Sequence, residues 1–429
     1  MRDSSRAPEH IPPSAHRISQ SAVSKPALKV VKQLTDAGYE AYLVGGCVRD
    51  LLLQHKPKDF DVATNAYPEE VRSLFNRSRL IGRRFRLAHV RVGREIVEVA
   101  TFRAGMVEDV EDDEHRHVNA EGRILRDNVY GCIEDDAFRR DFTINALYYD
   151  PVTENVVDYV RGVAHLREGR LVTIGDANVR FREDPVRMLR AVRFSVKLGL
   201  TLDDDLKTAI AGLAETLNQV PPSRMLDEML KLFHNGYALN VFRALRSTGL
   251  FAHLFPFTEQ CIVDDDKNLA VLALINTDQR VREGKPVIPA FLFACFLWDP
   301  LRVEVDKLTT NGMPPREAYA TATYDLLKDQ SMYVALPRRI GVVVNEIWSL
   351  QQRLEKRSSR GIMTLLRHKR FRAAYDFLLL RQAMGEVDVE LTDWWTQVQE
   401  TDQQQRQEMI KSLQPPPKRG RRRRRRRSR

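Results

Sequence analysis

At 429 residues and 43% hydrophobic content, the chain has apolar mass for roughly two to four globular units. Its formal net charge of +10 sits entirely in residues 418–429, KRGRRRRRRRSR, whose ten basic side chains face no acid, so the rest is formally neutral and a polyanion partner is expected of the tail. Four scattered cysteines without a C-x-x-C pair indicate neither a disulfide framework nor a cysteine zinc site and fit a reducing cytoplasm, and no apolar run approaches the ~20 residues of a membrane span or forms the core of a signal peptide.

The first 24 residues, rich in Ser, Pro and Arg, read as a disordered N-terminus. PALKVVKQLTDAGY then spaces Leu28, Val31 and Leu34 as one face of a helix that Gly38 stops. EAYLVGGCVRDLLLQ follows as a short strand, a double glycine and a helix. Strand-like runs recur at DFDVAT, AHVRVG, EIVEVATF and FTINALYYD, with the helix PEEVRSLF among them. From about residue 164 the text is helical throughout, and Pro221, Pro222, Pro256, Pro314, Pro315 and Pro337 read as helix boundaries. TDQQQRQEMIKSLQPPPKRGR reads as a linker into the arginine tract, with PPP as an extended spacer. This is an α+β organisation, with a mixed segment first and helices after it.

Two stretches of the mixed segment carry chemistry. Asp59 and Asp61 are two residues apart in an apolar strand, so both carboxylates would face the same side while Phe60 and Val62 face the other, an arrangement that calls for a cation. One helix upstream, Gly45 and Gly46 in LVGGCVRD let backbone approach a ligand closely, and the helix beyond offers free N–H groups to a phosphate. Taken singly, a solvated strand face explains the acidic pair equally well, and a sterically required turn explains the glycines better than a phosphate does. Taken together they suggest carboxylates for Mg²⁺, Mg²⁺ for phosphates, and amides for the remaining phosphate oxygens.

LVGGCVRD, DFDVAT, RRDFTINAL at 139–147 and EDPVRMLRAVRF at 183–194, in this order, resemble the motif series of the class II nucleotidyltransferases, the family of bacterial poly(A) polymerases and CCA-adding enzymes. The resemblance implies a polymerase-β-like head of about five strands at 25–163, a helical neck that reads the base and binds RNA at 164–255, a helical RNA-binding body at 256–405 and a disordered tail at 406–429. It implies two Mg²⁺ ions, with ATP as substrate. Asp59, Asp61 and Asp141 are the implied catalytic residues. Metal binding is expected at Asp59 and Asp61, with Glu98 or Asp141 supplying a third carboxylate and Glu98 taken as the metal ligand. Nucleotide contacts are expected at Gly45, Gly46, Arg49, Arg139, Arg140, Asn145, Asp184 and Arg187, with Arg187 hydrogen-bonding to the base. From the residues alone, Asp184-Pro185 is equally a helix start, and Arg187, Arg190 and Arg193 are equally a solvated basic stripe.

The stretch RLIGRRFRLAHVRVG at 79–93 is similar to the pattern of the bacterial poly(A) polymerases within this family, and Arg83, Arg84 and Arg86 concentrate charge there. VPPSRMLDEMLKLF and HKRFRAAYDFLLLR resemble segments of the same subfamily. The resemblance implies template-independent polyadenylation of RNA 3′ ends in the cytoplasm. Expected partners are RNA and ATP, with no membrane, and the tail is an expected contact for an RNA chaperone or the RNA-degradation machinery. A CCA-adding tRNA nucleotidyltransferase is the alternative in the same class, and an inactive RNA-binding scaffold the alternative outside it.

Overall fold

The structure, a computed structural model, describes residues 7–82, 86–104, 129–264 and 267–413, with the backbone of 116–118 and 124–127. Ten strands lie in its first part: β1 (Glu9–Ile11), β2 (Ala41–Val44), β3 (Asp61–Thr64), β4 (Ser78–Ile81), β5 (Leu87–Val92), β6 (Glu95–Thr101), β7 (Arg116–Val118), β8 (Ile124–Asp127), β9 (Leu147–Tyr149) and β10 (Val156–Asp158). β7 and β8 pair with each other, and the other eight form one sheet in the order β1-β10-β9-β2-β3-β6-β5-β4. All its pairings are antiparallel except β3 with β6. The five strand-like runs of the sequence supply β2, β3, β5, β6 and β9. Three more strands than expected lengthen the sheet, each only three or four residues and too short for a period of two to stand out.

Alternation decides what each face of the sheet meets. Leu43, Val62, Ala88, Val90, Val97 and Val99 point to a core shared with α1 (Lys25–Asp36), α2 (Gly46–Leu52) and α3 (Pro68–Leu74). α1 starts at Ser24, whose hydroxyl accepts from Ala27 N, buries Val30, Val31 and Leu34 at helical spacing, and ends before Gly38 at φ +88°. On the opposite face Val44, Ala63, Phe102 and Tyr148 pack with Ala137 of α4 (Ile133–Phe138). Asp61 and Glu98 belong to this second face.

The N-terminus departs from expectation. β1 pairs with β10, Ile11, Ile18 and Val23 are buried against α1, and buried His16 donates from Nε2 to Glu154 O at 2.8 Å. Residues 7–24 are therefore ordered. Three isolated apolar side chains and one satisfied histidine anchor a segment that composition alone would leave free.

Beyond β10 come α5 (Gly162–Arg167), α6 (Ala177–Glu183) and α7 (Val186–Leu198), with helices after them to Ser412. The stretch expected to be helical throughout also holds two two-residue strands, Arg170–Leu171 and Thr201–Leu202, which lie on either side of α6 and α7 in sequence and pair in parallel. The chain divides into two compact units, one reaching Val220 and including Ala244–His253, the other comprising Pro221–Arg243 and residues from Leu254 onward. In the second unit Pro222, Pro256 and Pro315 open helices at the first turn, and Pro337 precedes the helix Arg338–Lys356. That position suits a residue with fixed φ and no N–H to lose. The buried indoles of Trp348 and Trp395 donate to Ala294 O and Leu354 O, both at 3.0 Å.

The expected tail from 406 also needs correction. Gln403–Ser412 is helical, capped by Asp402 Oδ1 accepting from Gln405 N at 2.9 Å, and Met409, Ile410 and Leu413 pack against the cluster around Trp395. Three apolar residues within five positions convert an apparent linker into a docked helix. The arginine tract lies outside the described residues.

Candidate active site

β2 ends at Val44, and the chain turns through Gly45 at φ +77° and ψ −124° into α2. Gly45 N donates to Leu147 O at 3.0 Å, and a Cβ there would stand 3.3 Å from Arg140 Nη1 and 3.5 Å from Asn145 O. The φ requires glycine, and the approach to Arg140 makes any added Cβ a tight contact as well. On the other side of β2, Val44 pairs with Asp61, and Asp61 pairs with Glu98 across the parallel β3–β6 ladder.

The ladder begins at Asp61, so Asp59 lies just outside β3 and is exposed. The expected strand is shortened because β2 ends opposite Asp61 and Gly45 turns away, leaving Asp59 no partner on that side. The like charges are nonetheless close enough to interact. Burial pushes the Asp61 carboxyl up to about 6, Glu98 adds to the rise, Arg140 opposes it, and Asp59 raises it further. Glu98 is half-exposed and meets His89 Nε2 through Oε1 at 3.1 Å. Among the described residues no three His, Cys, Asp or Glu side chains form a ready metal cage. Mg²⁺ does not require one, because it keeps several waters and is held by one or two carboxylates plus substrate phosphates. The residues fit such an ion: Asp61 carries an uncomfortable proton affinity that a cation would relieve, beside two further carboxylates.

Arg139 to Asn145 link α4 to β9 and bring in a second set of groups. Arg140 donates from Nη2 to Asp136 Oδ2 at 2.7 Å and lies over the Tyr148 ring, while Tyr148 Oη donates to the same oxygen at 2.7 Å. Arg139 contributes its carbonyl, which accepts from buried Arg180 Nη2. Asp141 is not on the Asp61 row. Its Oδ1 accepts from Phe142 N at 2.8 Å and from Asn145 Nδ2 at 3.1 Å, and its Oδ2 from Arg190 Nε at 2.7 Å. Burial alone would raise this carboxyl, but Arg190, Asn145 and the backbone outweigh it and hold it at about 2. Asn145 Oδ1 in turn accepts from Arg49 Nη1 at 2.6 Å, and Arg49 pairs with Asp50 at 2.6 Å. Asp141, Asn145, Arg49 and Asp50 thus form one continuous polar chain from α7 to α2.

α6 and α7 complete the site. Asp184 is the C-cap of α6 and its Oδ1 accepts from Val186 N at 3.3 Å, but the N-cap of α7 is Pro185, so the expected cap at Asp184 with proline as the first helical residue is shifted by one position. Arg187 is held by Glu183 Oε2 at 2.7 Å and by Arg180 O at 2.9 Å, both from Nη1. Arg187, Arg190 and Arg193 are half-buried rather than a solvated stripe. Arg49, Arg190 and Arg193 share the face of Phe194 at 4.6–5.4 Å from its centroid. Arg83 and Arg84 lie outside the described residues, and exposed Arg86 pairs with Glu69 at 2.8 Å. The sequence reading missed Asp50, Asp136, Tyr148, Glu183, Phe194 and the contact of His89 with Glu98. Only Asp136–Arg140 and Glu183–Arg187 carry a readable signal, the (i, i+4) spacing of opposite charges.

Three family models match the chain: "Poly A polymerase head domain" over 41–172, "Probable RNA and SrmB- binding site of polymerase A" over 199–262 and "Polymerase A arginine-rich C-terminus" over 311–429. Poly(A) polymerase I of Haemophilus influenzae is 45% identical over 92% of this chain and 88% of its own length. This protein belongs to the bacterial poly(A) polymerase family. It is a nucleotidyltransferase. Poly(A) polymerase I of Escherichia coli O157:H7 is also 45% identical, over 91% of this chain and 85% of its own. A CCA-adding enzyme of Geobacillus kaustophilus is 38% identical over 53% of this chain and 54% of its own. Among solved structures, a CCA-adding enzyme in an apo form matches with a TM-score of 0.62 over 89% of this chain and 86% of that one at 18% identity, which shows a shared fold.

Proposed function

We propose that this poly(A) polymerase family member transfers AMP from ATP to RNA 3′ ends without a template, releasing pyrophosphate. The observation that carries the reading is the 45% identity over nine-tenths of the chain to enzymes named Poly(A) polymerase I. In this reading residues 25–163 are the catalytic head, 164–255 the neck and 256–405 the body.

Asp59, Asp61 and Glu98 would hold Mg²⁺, which when bound activates the attacking hydroxyl and neutralises charge on the leaving pyrophosphate. Glu98 is favoured over Asp141 as the third carboxylate because it is the register partner of Asp61, whereas both oxygens of Asp141 are engaged. The Gly45 turn brings backbone close to the triphosphate, and Arg140, fixed by Asp136 and Tyr148, supplies positive charge beside it. Asp141 acts as a positioning residue that orients Asn145, which with Arg49 faces the nucleotide. Glu183 immobilises Arg187 through Nη1, leaving its Nε and Nη2 protons to hydrogen-bond to adenine. The tail would hold RNA electrostatically, with an RNA chaperone or the degradation machinery as further partners, in the cytoplasm. Among the described residues no helix is long and apolar enough to cross a membrane.

The test is to incubate the full chain with Mg²⁺, an unstructured RNA and each NTP separately. ATP alone should give a long ladder. Three additions in the order C, C, A, confined to tRNA, would establish the CCA-adding alternative, and binding without transfer would leave a scaffold.

A further inference from the structure

The row that contains Asp61 does not stop at Glu98. Glu98 pairs in register with His89 on β5, and His89 pairs with Arg79 on β4. Register partners point to one face, so Asp61, Glu98, His89 and Arg79 form a line running from the site to the edge of the sheet. Arg91 and Ile96, themselves register partners, lie on the same face two residues further along β5 and back along β6. Among the described residues this face is open: Arg79 and Arg91 are exposed, and Ile96 is 56% exposed, while Ala88, Val90, Val97 and Val99 carry the packing on the reverse. Neither arginine makes an ion pair among the described residues, so two cations and an apolar side chain face solvent beside the catalytic carboxylates.

We propose that Arg79, His89, Arg91 and Ile96 form a track for the last nucleotides of the RNA primer, with the arginines on its phosphates and Ile96 against a ribose or base. This rests on the polymerase reading above. In-line transfer requires the attacking oxygen and the leaving group on opposite sides of the phosphorus. The groups expected at the triphosphate, Gly45, Arg140 and Asn145, lie on the β2 and β9 side of Asp61. The primer therefore approaches from the β6 side, along the line that carries the unpaired arginines. Two strand spacings of about 4.8 Å separate β6 from β4, enough to guide one or two nucleotides.

The experiment uses the full chain and a trinucleotide primer, too short to draw much affinity from distant basic surface. Arg79→Glu with Arg91→Glu should raise KM for this primer about tenfold, with KM for ATP and kcat at saturating primer within about twofold of the parent. Arg79→Lys with Arg91→Lys should restore most of the affinity, and Arg79→Ala with Arg91→Ala should flatten the salt dependence of binding by about 1.4 in log–log slope. All six substitutions are at exposed positions, where folding is not at issue. Unchanged primer KM, or an equal rise in KM for ATP, would overturn the track and leave the polymerase reading standing. Binding of a labelled hexanucleotide blocked by a 3′-deoxy end needs no turnover. If the glutamate pair weakens that binding while the parent makes no ladder, the track holds and the polymerase reading fails.

Discussion

Asp61 and Asp141 lie on the same unit of the fold, and their surroundings push them in opposite directions. Asp61 is raised to about 6 by burial and by Glu98, and Asp141 is held at about 2 by Arg190 and Asn145 despite burial. Arg140 only partly offsets the rise at Asp61, whereas Asp141 is paired directly with Arg190. Asp61→Asn should lower turnover at least about 10³-fold with RNA binding retained, and near-normal extension by that variant would remove the metal assignment. Arg190→Met should cost about 2–4 kcal/mol near pH 7, at the lower end because Arg190 is a third exposed. The sign with pH follows from linkage. In the parent the Asp141 contribution is complete above about pH 4, the unfolded value, and fades as pH falls toward 2. In the variant the unpaired carboxylate is better tolerated protonated, so its deficit should shrink on acidification, and thermal melts from pH 3 to 7 would show a constant deficit if Asp141 were not the partner. The Asp61 position was readable from the D-x-D spacing. The partner of Asp141 was not, because Arg190 is 49 residues away and nothing in its spacing separates it from Arg187 or Arg193.

Among the elements, α2 and α7 carry the site because their residues reach toward each other through Asn145 and Phe194. The turn into α2 was legible from the double glycine, and Gly45→Ala tests it: the left-handed φ and the 3.3 Å approach to Arg140 should together cost about 1–3 kcal/mol and raise KM for ATP. An alanine that left both unchanged would show that the turn relaxes. Short elements were less legible. β1, β4 and β10 are too short for a period of two to show, and the helix Gln403–Ser412 has few apolar residues; each forms because the sheet offers a hydrogen-bonding edge or the helical core an apolar surface. Truncation after Asp402 should therefore lower stability by about 1–3 kcal/mol, through loss of the packing of Met409, Ile410 and Leu413, while truncation after Leu413 should leave the melting temperature unchanged. Equal melting temperatures for the two truncations would mean that this helix contributes nothing.

Across the whole molecule, charge and fold are separable. The excess of basic residues lies in 418–429, after a PPP spacer, so truncation after Pro417 leaves a formally neutral protein. RNA binding at low salt should weaken, and the log–log salt slope should flatten by up to roughly 7 if all ten charges engage single-stranded RNA. Single-nucleotide incorporation at saturating RNA should change little. A truncated protein with the full slope would exclude RNA as the partner of the tail.

The order of mixed and helical segments, the proline-opened helices, the glycine turn and the place of Asp61 on its strand follow from the sequence alone, because each rests on local spacing or on a backbone preference that neighbours in sequence determine. Recognition of four ordered motifs extended that reading to the family. Which carboxylate stands beside Asp61, and which arginine restrains Asp141, depended on strand register and helix docking. Those join residues 37 to 49 positions apart by packing, and packing leaves no period in the chain. The line from Asp61 through Glu98 and His89 to Arg79 exists only because β3, β6, β5 and β4 lie side by side in an order different from their order in sequence.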